Sequence, residues 1–193
     1  MNTIRLLLTS LVLAFLSAHA MAETSATSPQ QKIVASAIDP QVFIEKAASA
    51  SLAEVEMAKM ALKKSTLDEV RHFAQMMIES HTQMNKDLLD LANNEGLTIP
   101  DEPTLMKKTK VFMLSQREGE SFDEAYAKNQ VEAHEQTYQL FRQAANSPSE
   151  NVRKFADSQL KSLEHHMNMA RALATTVAQT RASESGPKGV YTP

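Results

Sequence analysis

Ser65-Thr-Leu-Asp-Glu-Val-Arg-His-Phe-Ala74 returns, in residue type and spacing, as Ser147-Pro-Ser-Glu-Asn-Val-Arg-Lys-Phe-Ala156. Both copies carry Ser, an acid three residues on, Val-Arg and Phe-Ala, and the register persists from Ser80 to Ser162 and from Leu91-Ala92 to Leu173-Ala174. Each opens as a helix does. Ser65 or Ser147 is expected to cap, Asp68 or Glu150 takes the third helical position, and Pro148 suits a first turn because it needs no amide donor there. The echo therefore predicts two related helical hairpins. Closed on each other, they make a four-helix bundle whose interior can hold a ligand.

Working outward, the apolar spacing sets the helices. Helix one is expected from Pro40 to about Lys64, with the stripe Phe43, Ala47, Ala50, position 54, Met57 and Ala61. Steps of four and three residues keep that stripe on one face. Helix two, from about Thr66 to Asn94, carries Val70, Phe73, Met77, position 81, Met84, Leu88 and Leu91, and Gly96 is its expected stop. Helix three, from about Phe122 to Ala145, carries Ala127, Val131, position 134, Tyr138, Phe141 and Ala145. Helix four, from Pro148 to about Ala178, carries Val152, Ala156, Gln159, Leu163, position 166, Ala170, Leu173 and Val177. Pro100 and Pro103 interrupt a long link from Gly96 to Ser121, in which Thr104 to Gln116 can form a shorter helix. Short turns make antiparallel neighbours, whereas so long a link between helices two and three permits a crossover, the ferritin-like connectivity. An up-and-down bundle with a lid over one end is the alternative.

Each stripe contains one residue that does not belong in hydrocarbon: Glu54, His81, His134 and His166. Counted from the nearest inter-helix turn, they lie roughly 16, 24, 20 and 28 Å along their helices, near mid-length in every case. A buried Glu or His costs several kcal/mol unless something satisfies it. Three imidazoles and a carboxylate converging in a dry interior would meet that demand by ligating a divalent cation. The donor set suits iron, zinc, copper, nickel or manganese and does not choose among them. The competing reading is a polar, pH-sensitive His core without metal, in which Glu54 pairs with a protonated imidazole.

Other polar groups fit less well. Glu69 and His72 have the Glu-x-x-His spacing of carboxylate-bridged di-iron bundles but lie one turn into helix two, where the repeat partner of His72 is Lys154. Glu79 and Glu132 stand two residues from His81 and His134, about 200° around the helix, and point away from the same site. Glu56 and His165 are similarly displaced. Met57, Met77, Met84 and Met167 could supply copper(I) thioethers, but Met at core spacing is usually gap-filling. No Ser/His/Asp constellation or phosphate loop is visible, so catalytic residues are not assigned.

Bulk properties bound the rest. Arg5, the apolar run Leu6 to Leu16 and the small-residue site ending at Ala22 predict a signal peptide over residues 1–22 and a periplasmic protein. That run is too short for a membrane span. Residues 23–39 read as a flexible spacer, 40–180 as the bundle and 181–193 as a disordered tail. The chain has no Cys, which excludes disulfides and thiolate metal sites. Its formal net charge of -3 gives no electrostatic case for nucleic acid.

Several segments in order carry a family resemblance: Phe43-Ile-Glu-Lys-Ala-Ala48, Ala53-Glu-Val-Glu56, Val70 with Met77-Ile-Glu-Ser-His81, Gly96-Leu-Thr-Ile-Pro100, Ser121-Phe-Asp-Glu-Ala-Tyr126 with His134, and Leu160-Lys-Ser-Leu-Glu-His-His166. From Pro40 to Ala174 the chain resembles an exported bacterial family of unknown function, ferritin-like in fold and often labelled as outer membrane proteins. The resemblance implies that Glu54, His81, His134 and His166 fall on the family's characteristic polar positions. Two departures stand out: Ser80 replaces an Asp before the second-helix His, and Lys161 replaces a Pro. The helical periodicity does not support a membrane barrel. Together these readings give a periplasmic metal-binding bundle serving metal storage, buffering or oxidative-stress defence, or else a non-catalytic partner-binding stress module.

Overall fold

Asp39 starts the first helix by accepting from the amides of Gln41 (2.9 Å) and Val42 (3.2 Å), two of the donors that a helix start leaves unpaired. From there the computed structural model describes residues 37–184. The segments expected as signal peptide (1–22), most of the spacer and the last nine residues of the tail lie outside the described residues. The chain forms α1 (Pro40–Lys64), α2 (Asp68–Glu95), α3 (Leu105–Ser115), α4 (Gly119–Ala144) and α5 (Glu150–Glu184), with no strand among the described residues. The all-α helical bundle expected from the periodicity is what forms.

Both turns of the repeat are built alike, though the capping expectation is corrected in each. Ser65 Oγ accepts from Leu67 N at 3.1 Å, and α2 begins only at Asp68 without a side-chain cap. Ser149, not Ser147, caps α5 by accepting from Val152 N at 3.2 Å. What the copies share is an arginine clamp. Arg71 Nη1 donates to the carbonyls of Leu62 and Ser65, while Arg153 Nη1 donates to those of Ser147 (2.7 Å) and Pro148 (3.1 Å). A guanidinium offers several donors in a fixed fork, so one side chain can satisfy carbonyls that the preceding helix end leaves open.

Contacts at the helix ends fix the directions. Asn151 at the start of α5 donates to Glu95 at the end of α2 (2.6 Å), and Phe43 near the start of α1 meets Phe141 near the end of α4 (5.0 Å between ring centroids). At the opposite end Lys64 closes on Glu118, and Arg181 closes on Glu124. Within each hairpin the helices are antiparallel, and α2 and α4 run in the same direction. Their link must therefore return the length of the molecule, and it does so beside α1: Thr98 bonds Gln41, Thr104 N bonds Ser49 Oγ (2.8 Å), and Lys64 Nζ donates to the carbonyls of Ser115 (2.7 Å) and Arg117 (2.9 Å). Gly96 starts that return with φ 65°, a left-handed value that favours glycine, while Leu97 N bonds back to Ala92 O (2.8 Å). The link covers a second flank of α1, which accounts for the burial of Ile44, Ala48, Ser49 and Ala58 beyond the expected stripe.

Two further differences concern α4 and α5. The buried face of α4 includes Phe122, Tyr126, Gln130, Ala133 and Ala144, whereas Val131, Tyr138 and Ala145 are only half-buried, so the helix is turned slightly from the expected stripe. α5 continues past Ala178 to Glu184, helped by the Arg181–Glu124 pair. The apolar core comes in two clusters. One holds Met57, Phe73, Met77, Phe122, Tyr126 and Leu173; the other holds Phe43, Met84, Leu88, Phe141 and Leu163. The four polar stripe positions fall between them. Among the described residues no helix is long and apolar enough to cross a membrane.

Arg71→Ala and Arg153→Ala should each cost about 1 kcal/mol in urea unfolding, because each strips carbonyl partners that water only partly replaces. The turns sit at opposite ends of the bundle, so the double variant should lose the sum to within about 0.5 kcal/mol. A non-additive result would show that the clamps are not independent.

Candidate metal centre

His81 on α2, His134 on α4 and His166 on α5 are buried, with relative exposures of 3%, 1% and 5%. Their ring centroids form a near-equilateral triangle: 5.7 Å from His81 to His134, 5.7 Å from His134 to His166 and 6.0 Å from His81 to His166. One nitrogen of each ring lies within 4.8 Å of the others. Three helices thus bring three of the four sequence-derived positions together.

Hydrogen bonds set the tautomers of two rings. Ser51 Oγ donates to the His81 carbonyl (3.1 Å), so His81 Nδ1, 3.2 Å from the same oxygen, must carry the proton and donate to it. His134 Nδ1 lies 2.8 Å from the backbone carbonyl of Gln130, which can only accept. In both rings Nε2 is left as a lone pair. Among the described residues, His81 Nε2, His134 Nε2 and His166 Nδ1 are the ring nitrogens that are buried without a protein partner. Burial holds the His81 pKa well below its ordinary value, with further lowering from His134 and His166. Burial likewise brings His166 down to about 4, assisted by His134 and His165. Both are neutral near pH 7, the state in which imidazole binds a metal.

Glu54 stands apart from that triangle. It is buried, and its Oε2 accepts from Gln130 Nε2 at 2.6 Å, so the residue whose backbone orients His134 also holds the carboxylate. Burial raises the Glu54 pKa, opposed by His134, the Gln130 hydrogen bond, Lys107 and Lys110. Gln130 thus joins the two, its side-chain amide bonding the carboxylate and its backbone carbonyl bonding the ring, an arrangement that resembles the outer groups around metal sites. Tyr126, one turn before Gln130, is fully buried, and its hydroxyl pKa is raised well above normal by burial and then by Glu54.

Gln130 and Ser51 were not singled out from the sequence. Gln130 stands four residues before His134 and so shares its helix face; a polar residue there was the available signal. Ser51, three residues before Glu54, gave no signal beyond a hydroxyl on an Ala-rich stretch. The weaker candidates lie outside the cluster. Glu56, Glu69, His72, Glu79 and His165 are exposed, and Glu132 pairs with Lys110 at 3.6 Å. Met57 and Met77 pack in one apolar cluster and Met84 in the other, while Met167 is half-buried.

Residues 22–173 match a family described as Domain of unknown function (DUF4142). The match covers well over half of the chain, including all of the triangle, and the chain belongs to that family. No curated protein and no solved structure gives a match.

Two predictions concern this layer. Gln130→Leu removes the amide that holds a buried carboxylate and should cost about 2–3 kcal/mol in urea unfolding, while Glu54→Leu/Gln130→Leu should recover part of that loss because the stranded charge is gone. The second concerns pH. Below the ordinary value of 6.5 the unfolded chain takes up protons that the folded His81 and His166 refuse, so their stabilisation is lost as pH falls below 6.5, for His166 toward its folded value of about 4. Glu54, raised in the fold, acts in the opposite sense: its contribution is present below 4.5 and lost as pH rises through its folded value. The melting temperature of metal-free protein should therefore fall between about pH 6.5 and about pH 5, and His81→Phe should flatten the slope.

Proposed function

We propose that this DUF4142 member is a ferritin-like periplasmic bundle that binds a divalent transition metal between His81, His134 and His166, for metal storage, buffering or oxidant defence. The observation that carries the proposal is three buried ring nitrogens aimed at one region without a protein partner. A protein that hid such acceptors for packing alone would forfeit their hydrogen bonds with nothing in return. Two hairpins joined by a link that runs the length of α1 support the ferritin-like reading, and the family match beginning at residue 22, beyond the apolar run, supports export.

The residues fit an ion. Ser51 Oγ and the Gln130 carbonyl accept the Nδ1–H bonds of two rings and leave their Nε2 lone pairs as donors to an ion. Imidazole suits zinc, copper, iron and nickel. Three imidazoles leave a coordination position open; a redox-active ion there would supply reactivity toward oxidants, and zinc would supply Lewis acidity or structure. Glu54, held by Gln130, supplies the nearby negative charge that a dication in a dry interior requires. A second reading, a non-catalytic partner-binding module, is favoured by exposed Leu105, Met106, Phe112 and Met113 on α3.

Calorimetric titration with zinc, copper, iron(II) and manganese salts should give one ion per chain for at least one metal. His81→Ala/His134→Ala should weaken that binding at least 100-fold, about 2.8 kcal/mol. Metal at about 100 times Kd should raise Tm by roughly 5–10 °C. Equal binding by wild type and the double variant, or only traces of metal in protein isolated from its native compartment, would sink the metal reading in favour of the partner module.

A further inference from the structure

Helix α3 exposes most of its large apolar side chains. Leu114 is buried and Val111 half-buried, yet Leu105 is 82% exposed, Met106 75%, Phe112 61% and Met113 58%. Large apolar side chains exposed together on one helix face form the kind of surface patch that is often functional. The charges around it say which kind. The segment from Asp101 to Glu120 holds four cations (Lys107, Lys108, Lys110, Arg117) and four acids (Asp101, Glu102, Glu118, Glu120), so it offers no net positive charge to an anionic lipid surface. Lys108 pairs with Glu102, Lys110 reaches Glu132, and Lys107 is half-buried within the field of Glu54. The exposed ridge is left flanked by balanced charge, which fits a protein face.

The ridge is also symmetric about Thr109. Leu105 and Met113 lie four residues to either side of it, and Met106 and Phe112 three. At 100° per residue the four apolar side chains fall within about 60° of Thr109, a single face. Thr109 itself is exposed, with its hydroxyl turned back onto the Leu105 carbonyl (2.9 Å), so nothing obstructs a close crossing there.

We propose that the occupant of this face is a second copy of the chain, packed antiparallel across a two-fold axis at Thr109. Leu105 then meets the partner's Met113, and Met106 meets the partner's Phe112 in a sulfur–aromatic contact. The four apolar side chains offer roughly 500 Å² per copy, so pairing removes roughly 1,000 Å² in total, the lower bound for a specific interface. This inference does not depend on metal at the His triangle.

Sedimentation velocity over a concentration series should show wild type passing from monomer to dimer, and Met106→Glu/Phe112→Glu remaining monomeric with unchanged helical circular dichroism. The chain lacks Cys, so Thr109→Cys should form a disulfide dimer on mild oxidation whereas Gln83→Cys, on an exposed face of α2, should not. The proposal is overturned if wild type stays monomeric throughout, if its dimer survives Met106→Glu/Phe112→Glu, if Thr109→Cys crosslinks no better than Gln83→Cys, or if the monomer instead floats with phosphatidylcholine–phosphatidylglycerol vesicles.

Discussion

The bundle is organised around one costly arrangement: three imidazole nitrogens withdrawn from water and given no protein hydrogen bond. Everything near them serves to keep that arrangement fixed. Ser51 ties His81 from α1, and Gln130 ties His134 from within α4, so two of the rings are held in orientation and tautomer by hydrogen bonds to their outer nitrogens. Apolar clusters above and below exclude solvent, which strengthens every electrostatic interaction in the layer and makes an unpaired group there expensive. The same low dielectric keeps His81 and His166 neutral and pushes Glu54 toward protonation. One dication placed in this layer would satisfy three lone pairs and restore the charge of the carboxylate.

Much of the fold could be read from the chain because apolar periodicity and burial are the same physical constraint seen twice. Every expected stripe residue on α1 and α2 is buried, and the long link, whose length left a crossover open, runs beside α1. The repeat announced the turns but not their chemistry. Ser65 and Ser147 looked like caps, yet the shared device is the arginine that folds back from one turn inside each helix. Local sequence rules describe helix starts well; they do not see a side chain that reaches backward across a turn.

The site was legible to the extent that a polar residue in an apolar stripe is conspicuous. His81, His134 and His166 stood out for that reason and meet; Glu54 stood out equally and is held by Gln130 outside the triangle. The stripe on α4 was drawn through Val131 and Tyr138, and that choice hid Gln130, since a polar residue just off a supposed stripe reads as solvated. The two opening helices also echo each other. Aligning Phe43 and Glu45 with Phe122 and Glu124 places Ser51 on Gln130, so the residues that orient His81 and His134 occupy corresponding positions in their hairpins. The supporting hydrogen bonds follow the duplication more closely than the ligand-capable residues do, because His134 lies one position beyond the counterpart of Glu54 and His166 corresponds to Met84.

Helix α3 ties this layer to the surface. Its inner side places Lys107 and Lys110 where their charge reaches Glu54, and its outer side carries the apolar ridge centred on Thr109. The link that carries it is fastened to α1 at Gln41, Ser49 and Lys64, so α3 has little freedom to shift without disturbing the helix that bears Glu54 and Ser51. Lys107 loses hydration by lying half-buried and regains part of that loss from the Glu54 carboxylate, which binds the position of α3 to the ionisation of a group in the His layer.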